Sequence, residues 1–217
     1  MFNIFFCGSR KKKRIAITFD DGPSKETEKV LDFLKKYDAK ATFFIWGERI
    51  KGREKTIERI KKEGYEFGNH TFSHKRMWFK SRKFMIEDIQ KCDDELNKFG
   101  IKTNLFRFPG FKFGLNSLIV CWKLKKKMIF ANMVSNDWLN PWLKMKYNKK
   151  EPVKIDKPIK KTLSKTKNGS ILNFHDYLEG IGNHEEIIPI MEKILPKLKE
   201  KGFEFVTISD LLFESAK

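Results

Sequence analysis

A chain of 217 residues, 40% of them hydrophobic, has the length of one domain and enough apolar material to bury a sizeable core. Forty-six Lys and Arg against 28 Asp and Glu leave a formal charge of +18, which invites a nucleic-acid partner without specifying one. Three widely spaced cysteines exclude a disulfide framework, and no apolar run approaches the roughly 18 residues that span a bilayer.

Residues 1–13 pair a short apolar start with the basic block that ends at Lys13. In an export signal the basic residues come first, so this segment reads as a basic lead-in outside the core. The chain as written therefore defaults to the cytoplasm, with the cell envelope as the alternative should the N-terminus be incomplete. Residues 14–217 read as one catalytic domain.

Residues 14–19 form a short β-branched run that stops at Asp20-Asp21-Gly22-Pro23, a buried strand ending in a turn. Ser24 can cap the helix marked by Val30, Leu31, Leu34 and Tyr37. Residues 41–46 predict a second strand, 53–63 a charged helix and 65–69 a third strand. Over 81–100, the stripe Met85, Ile89, Cys92, Leu96 and Phe99 predicts a helix closed by Gly100. Further strands are expected at 104–108, 128–134, 170–174 and 203–208. Helices are expected at 116–127, 159–167, around Ile187 to Leu198, and from Ser209 onward. Residues 140–158, with three prolines and many lysines, read as a long irregular loop. Strands alternating with helices predict an α/β fold with a mostly parallel sheet.

In such folds the chemistry sits just beyond the C-terminal ends of the strands. There the sequence places Asp20 and Asp21, His70 and His74, Arg107, Asp137 with Trp138, and His175 with Asp176. Three of the four histidines fall at such positions; His184 lies before a helix without that context. The His70–His74 spacing puts two imidazoles on one side of a helical turn. With a carboxylate from Asp20 or Asp21 they make a two-His, one-carboxylate set, which leaves room for water and substrate on a metal. Adjacent carboxylates on extended backbone point apart, so one can bind metal while the other faces substrate.

These residues resemble the motifs of the polysaccharide deacetylases with a NodB-type domain (carbohydrate esterase family 4). Thr18-Phe-Asp-Asp-Gly-Pro23 resembles the first motif, His70-Thr-Phe-Ser-His74 the second, and Arg107-Phe-Pro-Gly110 the third. Asp137-Trp138 resembles the end of the fourth, and Ile171-Leu-Asn-Phe-His-Asp176 the fifth. The resemblance implies a distorted (β/α) barrel with mostly parallel strands, and a divalent metal, usually zinc, sometimes cobalt or another ion. It implies hydrolysis of N-acetyl groups on GlcNAc-containing glycans such as peptidoglycan or chitin-type oligosaccharides, with release of acetate. Asp21, His70 and His74 would bind the metal. Asp20 would be the general base and His175 the general acid, with Arg107 orienting the one and Asp137 tuning the other. Gly110, through its backbone N–H, and Trp138, Leu172 and Asn173 would face the substrate.

Three positions depart from the family pattern. Val134 stands where the fourth motif has a further carboxylate, and Gly110 where a tyrosine is common. Asn173 stands where an apolar residue packs on the acyl methyl, so that its amide either makes the acyl pocket more polar or turns away. These changes leave room for an alternative within the same fold, a C–N hydrolase acting on a small amide or cyclic imide. The lysine-rich charge fits attraction to an anionic cell-wall polymer, and no nucleic-acid-binding module is legible. Trp46 reads as core, while Trp78 and Trp142 fall near the edges of the candidate site and could stack on sugar rings.

Overall fold

The computed structural model describes residues 2–146 and 154–213. Its main sheet is built on β2 (Arg14–Asp20), whose seven residues are nearly all buried. On one side β2 pairs with β3 (Ala41–Ile45), followed by β4 (Glu66–Asn69), β5 (Leu105–Phe106), β6 (Lys127–Ile129) and β1 (Ile4–Phe5). On the other side come β8 (Ile171–His175) and then β7 (Met133–Val134). Strand β11 (Glu204–Val206) pairs with the first half of β2. Every pairing in this sheet is parallel. The curled parallel sheet with helices on its outside is the distorted barrel expected from sequence.

Helices α1 (Lys25–Lys36), α2 (Glu54–Lys62), α3 (Arg82–Asn97), α4 (Leu115–Lys123), α6 (Asp156–Lys165) and α7 (Ile187–Glu200) connect the strands, and α8 (Ile208–Phe213) ends the described chain. Ser24 starts α1 with a reciprocal cap: its Oγ accepts from the N–H groups of Glu26 and Thr27, and Thr27 Oγ1 accepts from its N–H. Ser81 caps α3 through the N–H of Phe84, and Met85, Ile89, Cys92 and Leu96 form its buried stripe.

The strand period of two sorts the side chains. Ile15, Ile17 and Phe19 of β2, Phe43 and Ile45 of β3, and Leu172 and Phe174 of β8 enter the core beneath the helices. Ala16, Phe44 and Ile171 belong to a separate cluster, which α8 closes with Ile208 and Leu211. The residues alternating with the helix-side set include Thr18, Asp20, Asn173 and His175, which are left to the concave face.

Three sequence expectations change, and one further element appears. The single strand over 128–134 is two strands toward opposite ends of the sheet: β6 lies between β5 and the edge strand β1, and β7 is the other edge, paired with β8. Residues 130–132 thus cross the seam of the barrel, which an unbroken apolar run conceals. The lead-in contributes β1, with Ile4 opposite Met128 and Phe5 opposite Ile129, and Phe5 packs edge-on against Phe213. The loop expected over 140–158 contains α5 (Leu139–Lys146) and the start of α6, while residues 147–153 lie outside the described residues. A small antiparallel hairpin, β9 (Tyr177–Leu178) with β10 (Gly182–Asn183), was not legible in so short a segment.

Candidate active site

Because the strands are parallel, the C-terminal ends of β2, β4, β5, β7 and β8 open on the same end of the sheet. Asp20 and His175, 155 positions apart in sequence, are register partners across β2 and β8. They line one cleft of about 580 Å³ together with Asp21, His70 and His74.

Asp20 is held at both oxygens. Its Oδ1 accepts from Arg107 Nη1 at 2.7 Å, and its Oδ2 from Asn173 Nδ2 at 2.7 Å. Arg107 is fully buried. It donates also to Thr18 Oγ1 at 2.7 Å and to the carbonyl of Ile129 at 3.1 Å, and lies 3.9 Å over the ring of Phe44. Phe44 can take that place because residue 68 is glycine: a Cβ there would lie 2.4 Å from its ring.

Asp21 follows with φ of 73°, a left-handed conformation, and its carboxylate lines the same cleft as that of Asp20. Its Oδ1 lies 3.3 Å from His70 Nε2 and 2.9 Å from His74 Nε2. Burial would raise the Asp21 carboxyl, but the facing charge of His74 and hydrogen bonds from both histidines hold it well below the usual carboxylate range. Burial likewise opposes the charged form of His74, and Asp21 beside it raises the imidazole overall.

His70 and His74 converge as expected, but not on a helical turn. Thr71 and His74 both have positive φ, 69° and 56°, and the His74 N–H donates to Thr71 Oγ1. The loop is fixed from below by residues that the sequence reading passed over. Asn69 accepts the N–H of Thr71 and donates to the carbonyl of Ile89 and to Asp93, tying the loop to α3. Asp88 accepts the N–H of Ser73. Each imidazole has an outer partner on Nδ1, the carbonyl of Arg107 at 2.8 Å for His70 and Glu179 at 3.2 Å for His74. That leaves both Nε2 atoms directed at Asp21, and Trp46 stacks on the His74 ring at 4.5 Å.

One ligand atom from each of Asp21, His70 and His74 lies within 4.8 Å of the others. Two imidazole nitrogens, one carboxylate oxygen and outer partners that fix the tautomers fit a divalent ion with open positions.

On the other side of the cleft, Asp137 is fully buried behind His175. Its Oδ1 lies 3.0 Å from His175 Nδ1 and accepts from Ser135 Oγ at 2.7 Å, and its Oδ2 accepts the backbone N–H of His175. Burial would lower the imidazole, but the Asp137 charge and hydrogen bond outweigh it and push His175 up to about 10. The fourth histidine belongs here too: His184 is fully buried, with Nε2 3.4 Å from Asp137 Oδ2 and Nδ1 3.3 Å from Glu186. No spacing signal marks it, because the hairpin β9–β10 brings it back to the site. Asp176 turns away from the cleft toward Thr27, and burial pushes its carboxyl up to about 7.

The remaining expected positions divide. Gly110, Val134, Trp138 and Asn173 line the cleft, as does Trp142 on α5. Val134 and Asn173, two of the departures from the family pattern, are register partners across β7 and β8. Asn173 is fully buried and spends its amide donor on Asp20. Leu172 is a correction: its side chain packs in the core beneath the helices, because alternation along β8 sends it to the face opposite Asn173. Its carbonyl accepts from Thr18.

The sequence profile of the polysaccharide deacetylases matches residues 8–127. A peptidoglycan N-acetylglucosamine deacetylase of Bacillus cereus is 32% identical over 208 residues, covering 93% of this chain and 89% of that protein. A peptidoglycan N-acetylmuramic acid deacetylase of Bacillus subtilis is 31% identical over 92% of this chain and 39% of its own length. The crystal structure of a peptidoglycan N-acetylglucosamine deacetylase superposes with a TM-score of 0.87 at 28% identity, covering 100% of this chain and 95% of that one. The chitin deacetylase of Colletotrichum lindemuthianum shares the fold, with a TM-score of 0.85 at 22% identity over 98% and 92% of the two chains. With a matching profile over more than half its length and a relative at this identity over nearly the whole of it, the chain belongs to the polysaccharide deacetylase family.

Proposed function

We propose that this chain hydrolyses N-acetyl groups on GlcNAc-containing glycans of the peptidoglycan or chitin type, with a divalent metal, zinc by preference, held by Asp21, His70 and His74. One observation carries the reading: a doubly anchored carboxylate, an Asp-His-His ligand set and a histidine backed by a buried carboxylate face one another in one cleft. The relatives named above, deacetylases of peptidoglycan by name, support the substrate class.

An ion bound there would polarise the acyl carbonyl and lower the pKa of water from 15.7 to about 7. Asp20, held by Arg107 and Asn173, takes the proton of the attacking water, a role worth roughly 10²–10⁴ in rate. The backbone N–H of Gly110 faces the oxyanion, and Trp138 walls the acyl group. The amine leaves poorly unless protonated; His175, kept cationic by Asp137, delivers that proton to the sugar nitrogen.

The test is acetate release from N-acetylglucosamine oligomers and peptidoglycan fragments, before and after chelation. Turnover that vanishes with chelator and returns on adding metal is the expected result. No release from any N-acyl glycan at full metal occupancy refutes the reading. Asp20→Asn is expected to keep its metal and lose turnover; a variant near the wild-type rate would remove Asp20 from the mechanism.

A further inference from the structure

Outside the cleft, the segment between His74 and α3 carries the most exposed aromatic surface among the described residues. Trp78 is 52% and Phe79 89% exposed. Their rings are stacked, 5.4 Å between centroids and 17° between planes, so they present one flat apolar surface instead of two separate knobs. The segment beneath them is anchored. Met77 is fully buried in the cluster of Met85, Ile89 and Phe108, and the N–H of Lys80 closes a turn onto the carbonyl of Met77. Packing therefore holds these rings outward.

The platform adjoins the cleft. His74 lies four residues before Trp78, and Arg76, two residues before it, lines the cleft beside Gly110. On the far side of the platform, Gly114 lies against Trp78, and Leu115 next to it is 70% exposed. Large apolar groups at such exposure mark a binding surface when they are contiguous. The C–H faces of a pyranose ring match a flat aromatic surface, while its equatorial hydroxyls stay in water; a chain of such rings leaving the cleft on this side would cross the platform.

We propose that Trp78 and Phe79 form a sugar-stacking platform that extends the cleft along an N-acetylglucosamine chain, beyond the residue that is deacetylated. This inference rests on the deacetylase reading for its substrate. It also explains why aromatics sit at the end of the loop that carries His74, where they add nothing to the core.

The experiment compares the N-acetylglucosamine dimer and hexamer in the full, metal-loaded chain and in Trp78→Ala, Phe79→Ala and the double variant. Acetate release is followed for each, and binding to Asp20→Asn with and without the platform substitutions is measured by calorimetry. The expected result is a KM for the hexamer raised roughly fivefold or more in the double variant, a difference of about one kcal/mol. Dimer KM and both kcat values stay within about twofold, and Trp78→Phe recovers most of the loss. Equal effects on dimer and hexamer, or none on either, overturn the platform. So does a double variant that loses self-association or vesicle binding while its length dependence is unchanged. If the wild type releases acetate from neither oligomer nor from peptidoglycan fragments, the deacetylase reading fails on its own, and hexamer-selective binding that the platform substitutions remove still decides the stacking site.

Discussion

The side-chain amide of Asn173 donates to Oδ2 of Asp20 at 2.7 Å, opposite the guanidinium of Arg107 on Oδ1. An ionised carboxylate only accepts, so this contact fixes the amide with its nitrogen toward Asp20. Where the family pattern has an apolar side chain against the acyl group, this chain has a second clamp on the carboxylate proposed as the base. Asn173→Leu is expected to free one oxygen of Asp20 and to lower kcat about tenfold, the scale of one hydrogen bond to a charged group. KM should change less than twofold, since Leu refills the volume. Steady-state kinetics on an N-acetylglucosamine oligomer checks it; an unchanged kcat would show that Arg107 alone positions the base.

Asp137 keeps His175 protonated. The imidazole is raised from an ordinary 6.5 to about 10, so its acid form persists through the neutral range and is lost only as pH rises through about 10. The stabilisation from this pair has the same sign: present below 6.5, gone above about 10. Asp137→Asn should bring the alkaline limb of the kcat profile down toward 6.5, so that the loss of rate grows between pH 7 and 9. A profile with an unmoved alkaline limb would mean that His175 is not the titrating acid.

His184 supports the same carboxylate from behind. Burial opposes its charged form, and the Asp137 carboxylate 3.4 Å away raises it overall. His184→Ala removes the imidazole packed behind Asp137 and opens a buried cavity, at a cost of about 1–3 kcal/mol. Thermal melting should fall by roughly 2–4 °C for each kcal/mol lost, with kcat reduced in parallel at alkaline pH. A melting point within one degree or so of wild type would place His184 outside the support of the site.

Gly68 tests the chain of packing behind Arg107. A methyl group there would meet the Phe44 ring at 2.4 Å, and Phe44 underlies the guanidinium. Gly68→Ala is expected to cost about 1–3 kcal/mol through overpacking and to reduce kcat, because the arginine that holds Asp20 is displaced. Chemical denaturation and kinetics on the same preparation would check both; an unaltered midpoint would show that Phe44 has room to move.

The sequence by itself determined the strand–helix alternation, and with it the end of the sheet on which polar residues gather. Asp20, Asp21, His70, His74, Arg107, Asp137 and His175 were legible because each follows an apolar run within a few residues, and parallel pairing aligns such positions. The +18 charge contributed little, since lysine on solvated faces is compatible with many folds. Only the tertiary structure decided three other matters. It split residues 128–134 across the barrel seam, because hydrophobicity reports burial and not which edge a strand joins. It sent Leu172 to the core and Asn173 onto Asp20, since a one-residue step along a strand reverses the face. It brought His184 to Asp137 and Glu179 to His74 through the hairpin β9–β10 and its loop, where sequence separation carries no information about distance.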